Sequence, residues 1–290
     1  MMHFDKGSFL TLDLEDFSYD LSRSLNLKNL KTRSFAIKKA IDRFSDILAK
    51  QKGSKNSTVF TTAQVARDHS ELIYDLSLQG NEIGCHGLFH DNIFSMKKGE
   101  FGKSLDLAID IIAKASKKDV LGFRAPKFSI RPEDLWAYEE ISKRFKYDSS
   151  YIKNGSDINL KQSFEMKFKN SKLIEFPVFS SKILNFFPFK IIGGTYLKLL
   201  PLRTILKEMN KLIAKDIIPV IYIHPYELLW EDEFWLSRKD LKEIDFTKNL
   251  YWQIRQNQWL KFGNKSLVRK LKKILELFPN LGNLKDSSFI

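Results

Sequence analysis

Residues 9–16 read FLTLDLED, a short apolar run that ends in three carboxylates. A run of this kind, bounded by polar residues, predicts a buried strand. Similar runs lie at residues 58–62, 82–86, 120–124, 147–150, 173–179 and 217–223, and segments with helical spacing lie between them, at 35–50, 70–79, 100–116, 132–145 and 202–214. Strand and helix thus alternate about seven times, which predicts a largely parallel sheet with crossover helices, closed or nearly closed into a barrel.

Four residues that could take part in catalysis lie at the ends of predicted strands: Asp13, His86, Arg124 and His224. In barrels of parallel strands, catalytic residues lie at the carboxyl ends of the strands, which meet on one face. We therefore expect these four side chains to share one site.

The composition sets limits on the class of protein. The chain has 290 residues, of which 43% are hydrophobic, enough for one large domain or two small ones. The single cysteine, Cys85, excludes an intrachain disulfide and a cysteine-rich zinc site, and we interpret it as a buried apolar residue. We see neither a secretory signal nor an apolar stretch that could span a membrane, so we expect a soluble, cytoplasmic protein.

The formal net charge is +13. Such a charge is typical of proteins with an anionic partner, such as nucleic acid, an acidic membrane surface or a phosphorylated substrate, but a solvated, lysine-rich surface would give the same value. Residues 265–278 read KSLVRKLKKILELF, a basic amphipathic helix. It could attach to an anionic membrane or pack against the barrel, and we favour packing.

Two histidines and a group of acids indicate a metal site. His86 and His90 have i, i+4 spacing, and neutral imidazole is a common metal ligand. The acids Asp13, Glu15 and Asp16 would repel one another at a strand end, and a divalent cation would relieve that repulsion. A carboxylate with two histidines is also a known metal-binding set with open positions. Each feature alone is weak, since histidines in a core or an acidic turn are common.

His224 and Arg124 each allow two interpretations. His224 ends a strand and precedes Pro225, so it could be a general acid in a fixed position or a core histidine. Arg124 could hold a catalytic carboxylate by a bidentate pair, or it could be an ordinary surface arginine.

Taken in order, four segments resemble the motifs of the polysaccharide deacetylase family, also called NodB-like or carbohydrate esterase family four. They are LDLED at 12–16, GNEIGCHGLFH at 80–90, GFRAP with FSI at 122–130, and YIHPYE at 222–227. Three further stretches, YDSS at 147–150, EFP at 175–177 and GGTYLKLLP at 193–201, resemble deacetylases linked to exopolysaccharide and surface-glycan clusters.

The resemblance implies a distorted (β/α) barrel of about seven strands. We expect one domain over residues 1–290, with an insertion at 231–262 that crosses the barrel and the amphipathic helix at 265–278. The resemblance also implies roles: Asp13 would be the general base, His86 and His90 would bind a divalent metal, usually zinc, and His224 would be the general acid. Arg124 would hold and tune the general base.

Three departures from the family pattern bear on the site. Leu14 separates the acids of the first motif, so the carboxylate ligand is Glu15 or Asp16; strand alternation favours neither strongly because the chain turns here. Lys127 stands where the family has an aromatic residue, which favours an anionic glycan or a phosphate on the substrate, and its backbone N–H could stabilise an oxyanion. We assign no segment to the fourth motif, an Asp-x-Trp that supports the acid histidine, so the support of His224 stays open.

The implied activity is a metal-dependent removal of an N-acetyl group from an amino sugar of a bacterial surface glycan or its precursor. A related hydrolase of cyclic amides and a degenerate module that binds glycan or a membrane surface are the alternatives. The expected partners are an N-acetylated glycan or lipid-linked sugar and an anionic membrane surface, and no nucleic acid is expected. The expected location is the cytoplasm, peripheral to the inner membrane where such sugars are assembled.

Overall fold

The computed structural model describes residues 6–27, 33–131, 133–157, 161–183, 187–189 and 192–290. Within these ranges the strands are β1 Phe9–Leu14, β2 Thr58–Thr61, β3 Glu82–Cys85, β4 Gly122–Phe123, β5 Tyr147–Asp148, β6 Ile152–Asn154, β7 Phe164–Lys167, β8 Lys172–Glu175, β9 Val178–Ile183, β10 Phe187–Phe189 and β11 Val220–Ile223. The helices are α1 Phe17–Leu25, α2 Ser34–Ala49, α3 Ala63–Asp68, α4 Ser70–Leu78, α5 Lys98–Ser116, α6 Leu135–Ser142, α7 Gly194–Leu199, α8 Leu202–Ile213, α9 Phe246–Leu260 and α10 Asn264–Leu277.

Eight strands form one curled sheet in the order β11-β1-β2-β3-β4-β5-β8-β7. All neighbours are parallel except β7 and β8, which form an antiparallel hairpin. The strands β10, β9 and β6 form a second, smaller sheet. The predicted fold class is confirmed: a mixed sheet curls into a half-barrel with helices on its outside.

The two edges of the large sheet are linked by a side chain rather than by strand pairing. Gln162, just before β7, accepts a hydrogen bond from the backbone N–H of Ile218 and donates one to its carbonyl, just before β11. These bonds satisfy edge groups that a closed barrel would pair through its backbone. The two edges of the half-barrel therefore approach each other at this point.

The first strand shows how the sequence builds both faces of the sheet. Leu10, Leu12 and Leu14 pack into the main apolar core with the buried side of α2. The alternate residues Thr11 and Asp13 lie inside the barrel, where Arg124 donates to both of them. Side chains alternate along a strand, so one short run supplies an apolar outer layer and a polar interior.

Prolines explain two differences from the predicted strands. The predicted strand at 173–179 is two strands, because β8 ends at Glu175 and β9, in the other sheet, begins after Pro177. The predicted strand at 217–223 begins only at Val220, after Pro219. Proline has no backbone N–H, so it cannot donate a ladder hydrogen bond, and a regular strand pairing breaks or begins at such a residue.

The segment 231–262 and the helix that follows it pack on the barrel. Leu236 and Leu241 form a small apolar cluster with Leu21 of α1, and Gln256 of α9 makes hydrogen bonds to both backbone groups of Leu236. The apolar residues of α10 are buried in the main core: Leu267, Leu271, Ile274 and Leu275. In the part of the chain described here, no helix is both long and apolar enough to cross a bilayer.

Candidate active site

The end of β1 sends neighbouring acids in different directions. Asp13 and Glu15 are both buried and both line the same cavity. Asp16 lies outside that group, because its Oδ1 accepts a hydrogen bond of 2.8 Å from the backbone N–H of Ser18 and so caps the start of α1. A carboxylate at this position satisfies a helix N–H that would otherwise lack a partner. The structure thus brings Glu15, and not Asp16, to the two histidines.

His86 and His90 lie in the loop that leaves β3. The backbone N–H of His86 donates to Thr61 O, which extends the sheet by one residue. Gly87 and His90 both have positive φ values, 82° and 60°, and the loop turns back so that the two imidazole rings lie 5.2 Å apart. Positive φ is tolerated by glycine and costs energy at histidine, so this turn is held in place by its contacts.

Hydrogen bonds to Nδ1 orient both rings. His86 Nδ1 lies 2.8 Å from the carbonyl oxygen of Arg124, and His90 Nδ1 contacts a carboxylate oxygen of Asp20 in α1. Their Nε2 atoms face Glu15 Oε2, at 3.9 Å from His86 and in direct contact with His90. Ligand histidines in proteins usually bind through one nitrogen while the other is held in this way.

Glu15, His86 and His90 form a buried group whose ligand atoms all lie within 4.8 Å of one another. Burial lowers the pKa of His86 to about 4, so this ring is neutral. Burial also opposes charge on His90, but Glu15 and Asp20 outweigh it and raise the pKa of His90 to about 10. Burial would raise the pKa of Glu15, yet the charges on His90 and His224 hold it well below its usual range. A metal ion would displace the proton of His90, because histidine binds a metal in its neutral form. The contact between His90 Nε2 and Glu15 thus marks where a cation could bind.

A buried arginine holds Asp13 on one side of this group. Arg124 is 0% exposed, and its Nη1 donates to Asp13 Oδ1 and to Thr11 Oγ1, each at 2.7 Å. Its other nitrogens donate to the carbonyl and the hydroxyl of Ser149, and its guanidinium lies 4.3 Å from the ring centre of Phe60. All three guanidinium nitrogens thus have acceptors, and the bond to Oδ1 holds the carboxylate of Asp13, which lines the cavity.

On the other side lies His224, directly after β11. Its Nδ1 is 2.9 Å from Glu227 Oε2, and its ring stacks on Tyr226 at 5.0 Å. Burial alone would lower the pKa of His224, but the negative charges of Glu227 and Glu15 outweigh it and raise the pKa to about 9. His224 is therefore protonated at neutral pH, as a proton donor must be.

Glu227 is itself buried and held from behind. It accepts a second hydrogen bond from the backbone N–H of His224, and its Oε1 lies 3.8 Å from the ammonium group of Lys198 in α7. Lys198 also donates to the last carbonyls of α9, those of Gln258 and Trp259. The general acid of the sequence prediction thus has a carboxylate partner that the sequence analysis did not assign.

The chain does contain one Asp-x-Trp segment, Asp134-Leu135-Trp136, which we did not assign from the sequence. It begins α6, where the carboxylate of Asp134 accepts hydrogen bonds from Arg131 and Trp136. The hydrogen bonds of Asp134 are therefore local ones, whereas the partner of His224 is Glu227, three residues after His224 in the chain.

These groups face one cavity of about 410 Å³, a size typical of a small-molecule site. Lys127 lies exposed at its rim, with φ of 56°, and within the described part of the chain its backbone N–H makes no hydrogen bond. Trp252 and Trp259, on the inner side of α9, also line the cavity, and their ring centres are 5.8 Å apart in a stacked arrangement. The segment beyond the barrel thus supplies an aromatic wall.

Sequence models of two known families match parts of this chain. The sequence model of the polysaccharide deacetylase family matches residues 1–144, and that of a domain of unknown function (DUF3473) matches residues 153–250. The chain belongs to the polysaccharide deacetylase family. A search of curated proteins found no match to this chain.

Two solved structures share the fold. One is from Mycobacterium smegmatis and is provisionally named a polysaccharide deacetylase: it has 16% identity and a TM-score of 0.54, with 96% of this chain and 94% of the other covered. The second is a 4-alpha-glucanotransferase from Thermococcus litoralis, with 12% identity and a TM-score of 0.55, and the match covers 99% of this chain and 40% of that one. At such identities the likeness extends to the fold alone.

The two sequence models divide the candidate site of this deacetylase-family chain. The first includes Asp13, Glu15, His86, His90 and Arg124. The second includes Lys198, His224 and Glu227, and Trp252 lies two residues beyond its end. His224 and the aromatic wall therefore come from the later part of the chain.

Proposed function

We propose that this protein is a metal-dependent N-deacetylase that acts on an N-acetylated amino sugar of a bacterial surface glycan or its precursor. One observation carries the proposal: a potential base, a cation site and a charged acid face a single cavity. These are Asp13 beside Arg124, the group of Glu15 with His86 and His90, and His224 beside Glu227.

The cation site fits a divalent metal with two histidines and one glutamate as ligands. Both imidazoles have Nδ1 engaged elsewhere and Nε2 directed at the same carboxylate oxygen, Glu15 Oε2. Catalytic zinc is commonly bound by three protein ligands of this kind, with a further position open. Zinc is therefore the metal we propose, and Glu15 rather than Asp16 is its carboxylate ligand.

The bound cation would polarise the acetamide carbonyl and lower the pKa of water in the cavity. Asp13 accepts one proton from that water while the oxygen of the water forms a bond to the carbonyl carbon. The backbone N–H of Lys127 donates to the oxyanion that develops. His224, protonated through its contact with Glu227, then donates a proton to the nitrogen as the C–N bond breaks. The products are acetate and a free amine.

The shape of the cavity supports a sugar as the substrate. Aromatic side chains suit the apolar faces of sugar rings, and Phe17, Tyr226, Trp252 and Trp259 line the cavity together with its polar groups. Lys127 at the rim supports a substrate that carries negative charge nearby, such as a phosphate or an acidic sugar.

A screen of N-acetylated glycans tests the proposal, with both free amine and acetate measured and with zinc, cobalt and EDTA compared. We expect EDTA to abolish release of both products and zinc or cobalt to restore it. Opening of a cyclic amide would instead give an amine without acetate, which would favour the alternative hydrolase.

Three variants test the assigned roles. Asp13→Asn and His224→Ala should each abolish amine release while metal stays bound, and His86→Ala should lose the metal. His69→Ala is a matched control, because His69 lies outside the cavity lining and should keep both metal and activity. Full activity in Asp13→Asn, or activity that EDTA does not affect, would contradict the mechanism.

A further inference from the structure

Helix α9 has a second apolar side, opposite to the one that lines the cavity. Its inner side carries Trp252, Trp259 and the buried Gln256 and Leu260. Its outer side carries exposed large apolar residues, and one more follows the helix; together they form the docking face: Phe246 (76% exposed), Leu250, Tyr251, Ile254 (67%) and Phe262 (63%).

The docking face is a continuous stripe rather than a set of scattered residues. Phe246, Leu250 and Ile254 follow one another at intervals of four, so they lie along one line of the helix. Clustered exposed apolar side chains of this size mark interaction surfaces in soluble domains. We therefore expect the stripe to contact another molecule or surface.

The basic charge of this part of the chain favours an anionic occupant. From residue 246 to 273 the chain has eight lysines and arginines and no aspartate or glutamate, and of these Lys248 and Lys261 pair with Asp245 and Asp232 of the preceding segment. Lys265, Arg269 and Lys272 of α10 are exposed and make no ion pair within the described ranges. An apolar stripe with basic neighbours is typical of helices that lie in the headgroup region of an anionic bilayer.

A second copy of the chain is the less favourable occupant. Each copy carries a net charge of +13, so two docking faces would bring like charges together. Helix α10 is not an alternative membrane anchor, because its apolar residues, among them Leu271 and Ile274, are buried in the core.

We propose that α9 and Phe262 dock this protein on the surface of an anionic lipid bilayer. The inner side of the same helix forms the wall of the cavity, so the cavity lies within about one helix diameter, roughly 10 Å, of the docked surface. A sugar attached to a lipid headgroup would then be within reach. Docking does not depend on the proposed deacetylation, and it is measured without any substrate.

The test is flotation of the full chain with vesicles of phosphatidylcholine that contain phosphatidylglycerol, beside vesicles of phosphatidylcholine alone. The double variant Leu250→Ser with Ile254→Ser removes the centre of the stripe. Leu78→Ser is the matched control, because Leu78 is 63% exposed but belongs to α4. Circular dichroism and thermal unfolding check that each variant folds.

We expect the wild type and Leu78→Ser to float with the anionic vesicles, less so at high salt and on neutral vesicles. The double variant should partition about tenfold more weakly or worse, since two exposed aliphatic side chains no longer enter the bilayer. Absence of wild-type binding, or equal binding of the folded double variant, would overturn the proposal. So would light scattering that shows a wild-type dimer which the double variant dissociates.

Discussion

Replacement of Glu227 by glutamine should shift the pH dependence of the reaction rather than simply weaken it. Glu227 Oε2 lies 2.9 Å from His224 Nδ1, and its charge is the largest contribution that raises the pKa of His224. Glutamine keeps the shape and can still accept the same hydrogen bond, but it carries no charge. We therefore expect the pKa of His224 to fall in Glu227→Gln.

The size of the effect follows from the hydrogen bond. A bond to a charged group is worth about 1.5–3 kcal/mol and one between neutral groups about 0.5–1.5 kcal/mol, a difference of roughly one pKa unit. A fall of the pKa from about 9 by one unit would reduce the protonated fraction of His224 at pH 9 from about one half to about one tenth. At pH 6 most of His224 stays protonated in both proteins.

The measurement is kcat for amine release across the pH range, since His224 must be protonated to donate. The alkaline limb of the profile should move to lower pH in Glu227→Gln, with a loss of about fivefold at pH 9 and little loss at pH 6. Glu82→Gln is a matched control, because Glu82 is also buried but begins β3, at the opposite end of the barrel strands. An equal loss at both pH values would refute the reasoning and reduce Glu227 to a structural role.

Two further predictions concern the metal group and the C-terminal helix. Asp20→Asn should weaken metal binding about tenfold or more, because Asp20 orients His90 through Nδ1; competition with a chelating dye measures this, and exposed Asp106→Asn should leave affinity unchanged. Leu271→Ala should lower the free energy of unfolding by about 2–5 kcal/mol, since the side chain is buried in the core. Urea unfolding would show it, and half-exposed Leu277→Ala should cost much less; similar values for both would mean that α10 is not packed as described.

The sequence predicts much of the barrel because strand ends carry a clear signal. Residues 9–16, 82–86 and 120–124 are short apolar runs that stop at charged or imidazole side chains, and parallel strands collect such ends on one face. The structure brings Asp13, His86, Arg124 and His224 to that face. The predicted family is confirmed by the sequence model that matches residues 1–144, and the predicted fold class by the curled sheet.

The choice between Glu15 and Asp16 depends on where the strand stops and the helix begins. β1 ends at Leu14 and α1 begins at Phe17, so both acids lie in the two-residue connection, where the alternation of a strand no longer applies. Asp16 became a helix cap because its carboxylate could reach Ser18 N–H. Sequence spacing alone does not encode which of two adjacent acids caps the helix.

The carboxylate partner of His224 is Glu227, which lies only three residues further along the chain. HPYE at residues 224–227 forms a short 3-10 turn after β11, in which position i+3 returns to position i. The family pattern directs attention to a distant Asp-x-Trp, whereas this chain uses a local glutamate. The aromatic wall of α9 was less accessible to prediction, because its position depends on long-range packing with Leu236 and Leu21.

Residues of the later half of the chain contact the candidate active site directly. Lys198 contacts Glu227 and also donates to the last carbonyls of α9, where helix dipoles favour a cation. Asn264, at the start of α10, donates to the carbonyls of Tyr226, Leu229 and Leu260. The cavity wall and the carboxylate behind His224 are thus held by the same polar contacts. We therefore expect a change in the position of α9, whether from a sugar on its inner side or a bilayer on its outer side, to reach Glu227 and His224 through Lys198.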